Sequence, residues 1–380
     1  MNLLLRQVSI KDFLKLLIPV LGLKLLIPLV GMFLLYLFPH ESKEHLLSLP
    51  SYFNYYFNSD SGWYEKIYLY GYEHIPESVS QNWQTPLAHY AFFPLYPMLI
   101  RSVHLLLGTN FVLSGFILNI LTLVFLCRQI LVYLTSHGYS AHQAVRMGLI
   151  WLFLPFSLHF YFIYTEALFA LLLLSVFHYI SLFDYWKASL AAALLVMCRP
   201  NGIALALPIF ILLGMQTHQK KLFNPLRYLS KAYLVLWVMT FTFIGLLLWQ
   251  WNLCGNAFAF AEAQKAWNKQ GMFPLMALFR HGFAVDVFQS IFIVILMLLL
   301  VFFYKKWKLH EHVLIWMTFI LPMAAGSVIS LSRYVSVLFQ IPFALTSNMS
   351  QKSFRIIMAI FIIFQMFLLN EWLHDSPIMY

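Results

Sequence analysis

The sequence predicts an all-α, polytopic membrane protein, and three observations carry that prediction. Hydrophobic residues make up 62% of the 380-residue chain and charged residues only 10%, with a mean hydropathy of +0.77; a soluble domain is about a quarter charged. Apolar runs near the length of a membrane span follow one another almost without a break. Lysines and arginines gather in short loops, in alternation, as the positive-inside rule requires. The length could hold two or three soluble domains, but no stretch reads as one. Residues 1–380 therefore form a single membrane domain.

The first span covers roughly 12–39. Arg6, Lys11 and Lys15 stand before or at its start, as in a signal sequence, yet the run is long and lacks a small-residue cleavage motif, so it reads as an uncleaved anchor. Further spans fall at roughly 109–134, 145–160, 164–183, 187–200, 201–216, 228–253, 283–304, 312–331, 334–349 and 355–372. That makes about 11 spans, or about 12 if 91–107, "AFFPLYPMLIRSVHLLL", crosses as well. Treating 91–107 as interfacial keeps the charge alternation. The basic N-terminus, Arg128 to Arg146, Lys187, "HQKKLFNPLRYLSK" (218–231), "YKKWK" (304–308), and Lys352 with Arg355 then share the cytoplasmic side. The opposite side holds Glu41, Glu44, Asp60, Glu65, Glu73, Glu77, Glu262, Asp286, Glu371 and Asp375. Two outer segments, 40–90 and 254–282, are too long and too mixed for simple turns. Their Tyr, Trp, Asn and Ser content suits the headgroup level, and connections of this length in a compact protein usually serve a function.

Several chemistries are excluded. No GxxxxGK[ST], no GxGxxG after a strand, no HExxH, no GxSxG and no DxD pair is present. Cys127, Cys198 and Cys254 have no metal or redox spacing and read as small buried residues. His310 and His312 of "HEH" read as a surface-loop pair. The net charge of +10 follows from loop sidedness; no basic helix is interleaved with aromatics, so no nucleic-acid partner is implied.

What remains is a polar set on the outer side. Asp60 opens "DSGWYEKIYLYGY". Glu166 starts a helix in "FYFIYTEALFALL". Arg199 sits at the helix break of "MCRPNGIAL". Glu262, Gln264 and Trp267 lie in "AEAQKAWNKQ", and Arg333 and Tyr334 in "SLSRYVSV". Singly, Arg199 and Arg333 can snorkel to headgroups, and Glu166 can serve a helix dipole. Together, five segments bring acids, arginines and aromatics to one face, a composition suited to an anionic, partly apolar ligand. Arginine forks bind phosphate, a carboxylate can deprotonate a hydroxyl, and Tyr and Trp line a lipid–water boundary. On charge alone, Arg199 or Arg333 is assigned to a donor phosphate.

On these motifs the chain resembles the PIG-V type of GPI mannosyltransferase and its prokaryotic relatives, membrane glycosyltransferases of the GT-C class. Asp60 to Gly71-Tyr72 has the spacing of the family's first-loop motif. "FFPLYP" (92–97), followed by Arg101, is similar to its "FFPxxP"; "YTEALFALL" to its "YSESLFALL"; and "RPNG" (199–202) to its "RSNG". Gln264 and Trp267 match its Gln-x-x-Trp, and Arg333-Tyr334 its late Arg-Tyr. The matches run in family order from about 59 to 345. Ser59 stands where the family usually has Trp, and the gap filled by 73–91 is longer. The resemblance implies a GT-C-like bundle with its active site on the outer or lumenal side. It also implies a polyprenyl- or dolichyl-phosphate mannose donor, a lipid or glycan acceptor, and inverting transfer without metal or cofactor. Asp60 would be the general base. Arg199, Arg333, Glu166, Tyr334, Asn201, Gln264, Trp267, Trp63, Tyr64, Tyr96 and Arg101 would bind substrate. The short loops favour a prokaryotic plasma membrane over the endoplasmic reticulum. Two other classes stay open: a transporter or flippase of an amphipathic anion, and a non-catalytic scaffold in glycan assembly.

Overall fold

The helices begin and end where local chemistry dictates. Ser9 caps α1 (Ile10–Leu37) by accepting from the Asp12 N–H, and Asn110 caps α4 (Phe111–Ser136) through the Leu113 N–H. Ser140 and Gln143 form a reciprocal capping box on α5 (Ala141–Leu152). Asp184 caps α7 (Tyr185–Cys198), and the Lys187 side-chain hydrogen bond holds its carboxyl below the usual range. Ser350 caps α14 (Gln351–Leu373). Each satisfies a backbone N–H that the first turn leaves open.

The computed structural model describes residues 8–39, 49–73, 87–217, 230–267, 269–279, 284–328 and 330–374. Most of the basic stretch 218–231, the ends of the first outer segment (40–48 and 74–86), residues 280–283 of the second and the C-terminal Asp375 lie outside them. The remaining elements are α2 (Asp60–Tyr70), α3 (Leu95–Leu107), α6 (Glu166–Ser181), α8 (Ala206–Thr217), α9 (Leu234–Cys254), α10 (Ala284–Phe302), α11 (Leu309–Ala324), α12 (Leu331–Ser336) and α13 (Gln340–Thr346), with a single helical turn at Ala259–Glu262 between α9 and α10. Short 3-10 turns link them, and no strand occurs among the described residues.

The described chain is thus all-α and membrane-like, but its span count is lower than the sequence suggests. Among the described residues four helices are long and apolar enough to cross: α1, α4, α14 and the unit Lys231–Cys254 that contains α9. A fifth crossing is possible if α5 and the turn Pro155–Tyr161, bent by 88°, act as one span. The expected span 334–349 is broken into α12 and α13, both with buried residues. Helix α3 has 13 residues, about 20 Å of rise against a core of about 30 Å, which agrees with an interfacial placement. The "HEH" pair is not in a loop. It lies in the first turn of α11, where His310 is buried and stacks on Phe177, and Glu311 accepts from the Lys308 N–H. Apolar side chains such as Phe33, Phe125, Phe241, Leu298 and Ile363 point outward, as lipid contact demands.

One buried connection, residues 155–165, delivers Glu166 to the interior. The expected spans 145–160 and 164–183 leave room for only a short turn between them. Instead it runs through the core as a 3-10 turn and a bent stretch, almost entirely buried. Irregular backbone survives at membrane depth only when protein satisfies it. Here Asn119 Nδ2 donates to the carbonyls of Phe160 and Phe162, both at 2.9 Å, and the Ile163 N–H donates to Tyr56 O at 3.0 Å. Gly115 makes room: a Cβ there would lie 2.8 Å from Ile163 Cγ2. The Lys24 ammonium, buried in mid-α1, donates to Tyr161 O and lies 3.9 Å from the Tyr56 ring centroid. Pro28 lacks the N–H that would bond Lys24 O, and the Tyr56 hydroxyl takes that carbonyl instead.

Candidate active site

Four charged side chains from four separate elements meet. Asp60 is the first residue of α2. Its segment is tied down on both sides: Asn58 Nδ2 donates to Trp372 O at 3.2 Å, Ser61 Oγ to Ile163 O at 3.0 Å, and the Asp60 N–H to the Tyr164 hydroxyl at 3.3 Å. Glu166 opens α6 directly after the buried connection. Arg199 follows α7 in extended geometry, as a residue before proline prefers. Gly202 then lets the chain double back, since a Cβ there would lie 2.5 Å from Leu195 O. Arg333 projects from α12, held by Ser336 Oγ to Arg333 O at 2.7 Å and Trp151 Nε1 to Ser336 O at 2.8 Å.

The four form a chain of ion pairs. Arg333 contacts Asp60 Oδ2 at 2.8 Å and Glu166 Oε1 at 2.9 Å, and Arg199 contacts the same Glu166 oxygen at 3.0 Å. The Glu166 side chain is fully buried, while Asp60 keeps 19% of its side chain exposed. Neither Glu166 oxygen has a well-aligned donor, so the contact is Coulombic, and Arg333 serves Asp60 as well. Tyr334 lies beside both guanidinium groups, at 4.9 Å from Arg199 and 5.6 Å from Arg333, and Tyr164 lies 5.1 Å from Arg333. Buried charges on this scale require pairing, because an unpaired one costs several kcal/mol.

The network lines a cavity of about 720 Å³ whose walls include Asp60, Tyr64, Asn201, Gln264, Trp267 and Tyr334 as well as both arginines. Glu166 lies behind the wall. Asn201 Oδ1 is buried without a partner. Phe93, Phe169, Leu173 and Leu314 supply apolar surface. Both outer segments contribute, the second through Gln264 and Trp267.

Trp63 and Tyr96 are buttresses rather than lining. Trp63 stacks on Phe92 (5.8 Å, 18°) and meets Trp267 edge-on at 6.2 Å. Tyr96 packs against Tyr64 at 5.0 Å. The first-loop motif and "FFPLYP" touch one another: the Tyr72 hydroxyl donates to Phe92 O at 2.5 Å, and burial pushes that hydroxyl well above its usual range. Gly71 adopts φ +71°, which glycine accepts without strain. Arg101 is not brought to the site. Tyr96 faces inward, and five residues further along α3 the helix has turned by roughly 140°; Arg101 is exposed and borders a separate apolar cavity of about 350 Å³ with Tyr68, Met98 and Trp249. Glu262 also stays apart, bonded to Asn256 Nδ2 at 2.7 Å.

Three residues that the sequence motifs did not single out belong here. Tyr164, two residues before Glu166, supports both Asp60 and Arg333. Lys269, next to the Gln264–Trp267 motif, lines the cavity. Lys24 anchors the connection that delivers Glu166. A charge inside an otherwise apolar span is a functional signal in its own right, and "LGLKLLIPLV" carried it.

Backbone strain concentrates at the network. Among the described residues only Ser59, Phe183 and Ser330 combine a side chain with positive φ. Ser59 (φ +50°) stands next to Asp60, and Ser330 (φ +66°) caps the helix of Arg333. Conformations of this kind cost about 1–3 kcal/mol and cluster at functional sites. No family model, curated protein or solved structure matches the chain, so the family resemblance rests on the motifs themselves.

Proposed function

We propose that the chain is an integral membrane glycosyltransferase that moves a sugar from a polyprenyl- or dolichyl-phosphate donor, mannose by the family resemblance, to a hydroxyl of a lipid or glycan acceptor. The observation that carries this reading is the joining of Asp60 to Arg333, Glu166 and Arg199 at the wall of a cavity that is part aromatic, part aliphatic and part cationic. A phosphate-linked lipid sugar needs those three surfaces together: rings for the sugar, aliphatic walls for the prenyl chain, and cations for the phosphate.

In the transfer step Asp60 accepts the proton of the acceptor hydroxyl. The oxygen forms a bond to the anomeric carbon as the bond from that carbon to the phosphate oxygen breaks. The electron pair leaves with the lipid phosphate. Arg333 and Arg199, pre-positioned by the buried carboxylate, face the negative charge that develops there, so little reorganisation is required. Tyr64 and Trp267 border the space for the sugar.

The test is transfer by the purified chain across a panel of polyprenyl-phosphate sugars, read as released lipid phosphate. Asp60→Asn is expected to reduce turnover by about 10²–10⁴-fold with the protein still folded. Undiminished transfer in that variant overturns the base assignment. Labelled sugar accumulating in vesicles with no new glycoside overturns the enzymatic reading in favour of transport.

A further inference from the structure

Three cations and one carboxylate, Asp60, line the cavity, with Glu166 behind its wall. Arg199 and Arg333 are each matched to an acid, but Lys269 is not. Its ammonium donates to the side-chain oxygen of Gln264 at 3.0 Å, and among the described residues no carboxylate pairs with it. It lines the same cavity as the arginines and is half-buried.

In the resting site the arginines are already committed to Glu166, so they can meet charge that develops during transfer without being the primary anchor of the phosphate. Turning either toward a ligand weakens its hold on Glu166, a wholly buried carboxylate with no aligned donor, and leaving such a charge unpaired is costly. Lys269 gives up only a neutral amide contact, on a flexible stem that follows a ligand easily. Apolar walls from Phe93, Phe169, Leu173 and Leu314 adjoin it. We propose that Lys269 binds the phosphate of an amphiphilic lipid-phosphate substrate, holding it in register with the arginine–carboxylate network. This rests on the lipid-phosphate reading of the cavity and locates the phosphate within it.

The probe is farnesyl phosphate, with farnesol as its neutral counterpart, titrated into the detergent-solubilised full chain and followed by tryptophan fluorescence. The wild type is expected to bind farnesyl phosphate about tenfold or more tightly than farnesol. Lys269→Gln is expected to abolish that preference with farnesol affinity and melting temperature unchanged, and Lys269→Arg to keep most of it. If Lys269→Gln retains the full preference, the lysine assignment is overturned and the glycosyltransferase reading survives. A wild type with no preference for the phosphate overturns both. Inorganic phosphate binding as tightly as farnesyl phosphate overturns the amphiphilic ligand.

Discussion

Charge is buried in two very different ways in this molecule. Lys24 lies alone in α1, enclosed by the Tyr161 carbonyl and the rings of Tyr56 and Phe116. The Asp60–Arg333–Glu166–Arg199 network is paired throughout and opens on a cavity. Lys24 has neutral partners and does not line that cavity, so its work is to fasten α1 to the connection that delivers Glu166. The network has counter-charges and adjoining space, so it can act on something. Exposure to a cavity, rather than burial of charge as such, separates a site from a fastening.

The largest contrast comes from removing one member of each. Glu166→Ala leaves two buried guanidinium groups short of a partner and is expected to cost about 3–5 kcal/mol, read as a fall in unfolding free energy in detergent. A loss below about 1 kcal/mol would mean that solvent reaches the pair and the network is not a closed unit. Gly202→Ala comes next. The added Cβ meets the α7 backbone rather than a yielding side chain, and overpacking of this kind costs about 1–3 kcal/mol; transfer should fall with it, because Arg199 sits three residues earlier.

Lys24→Met keeps the length and removes the charge. It leaves Tyr161 O without its donor, a cost of about 1–2 kcal/mol, partly offset by no longer burying an ammonium. Its thermal stability should therefore change less than that of Glu166→Ala; an equal or larger loss would erase the difference between fastening and site. The smallest effect is expected at Ser59. Ser59→Gly relieves the positive φ beside Asp60 and should stabilise by about 1 kcal/mol or less, since the added backbone freedom opposes the gain. The side chain of Ser59 is exposed, so a change in substrate affinity would contradict its role as a strained turn residue alone.

Asp60, Glu166, Arg199 and Arg333 were all legible as candidates, because rare charges beside apolar runs stand out. So were the helix break at Arg199-Pro200 and most of the long apolar elements. The division of labour among the aromatics was not. Tyr64 lines the cavity and Tyr96 supports it from behind, a difference set by helix rotation and neighbouring packing that motif spacing does not encode. Arg101 was carried into the site by its position after "FFPLYP", and the turn of α3 takes it out.

By itself the sequence determined that the chain is helical and membrane-like, since hydrophobicity and run length are sums over residues in a row. It also determined which polar residues are anomalous there. Only the tertiary structure decided that 155–165 passes through the interior, that α12 and α13 break what reads as one span, and that Arg333 bridges Asp60 and Glu166. Each depends on contacts between residues 100 or more positions apart, such as the Tyr164 hydroxyl with Asp60 or Trp372 with Asn58. Local pattern carries no term for such partners, and buried backbone or charge is tolerable only where they converge.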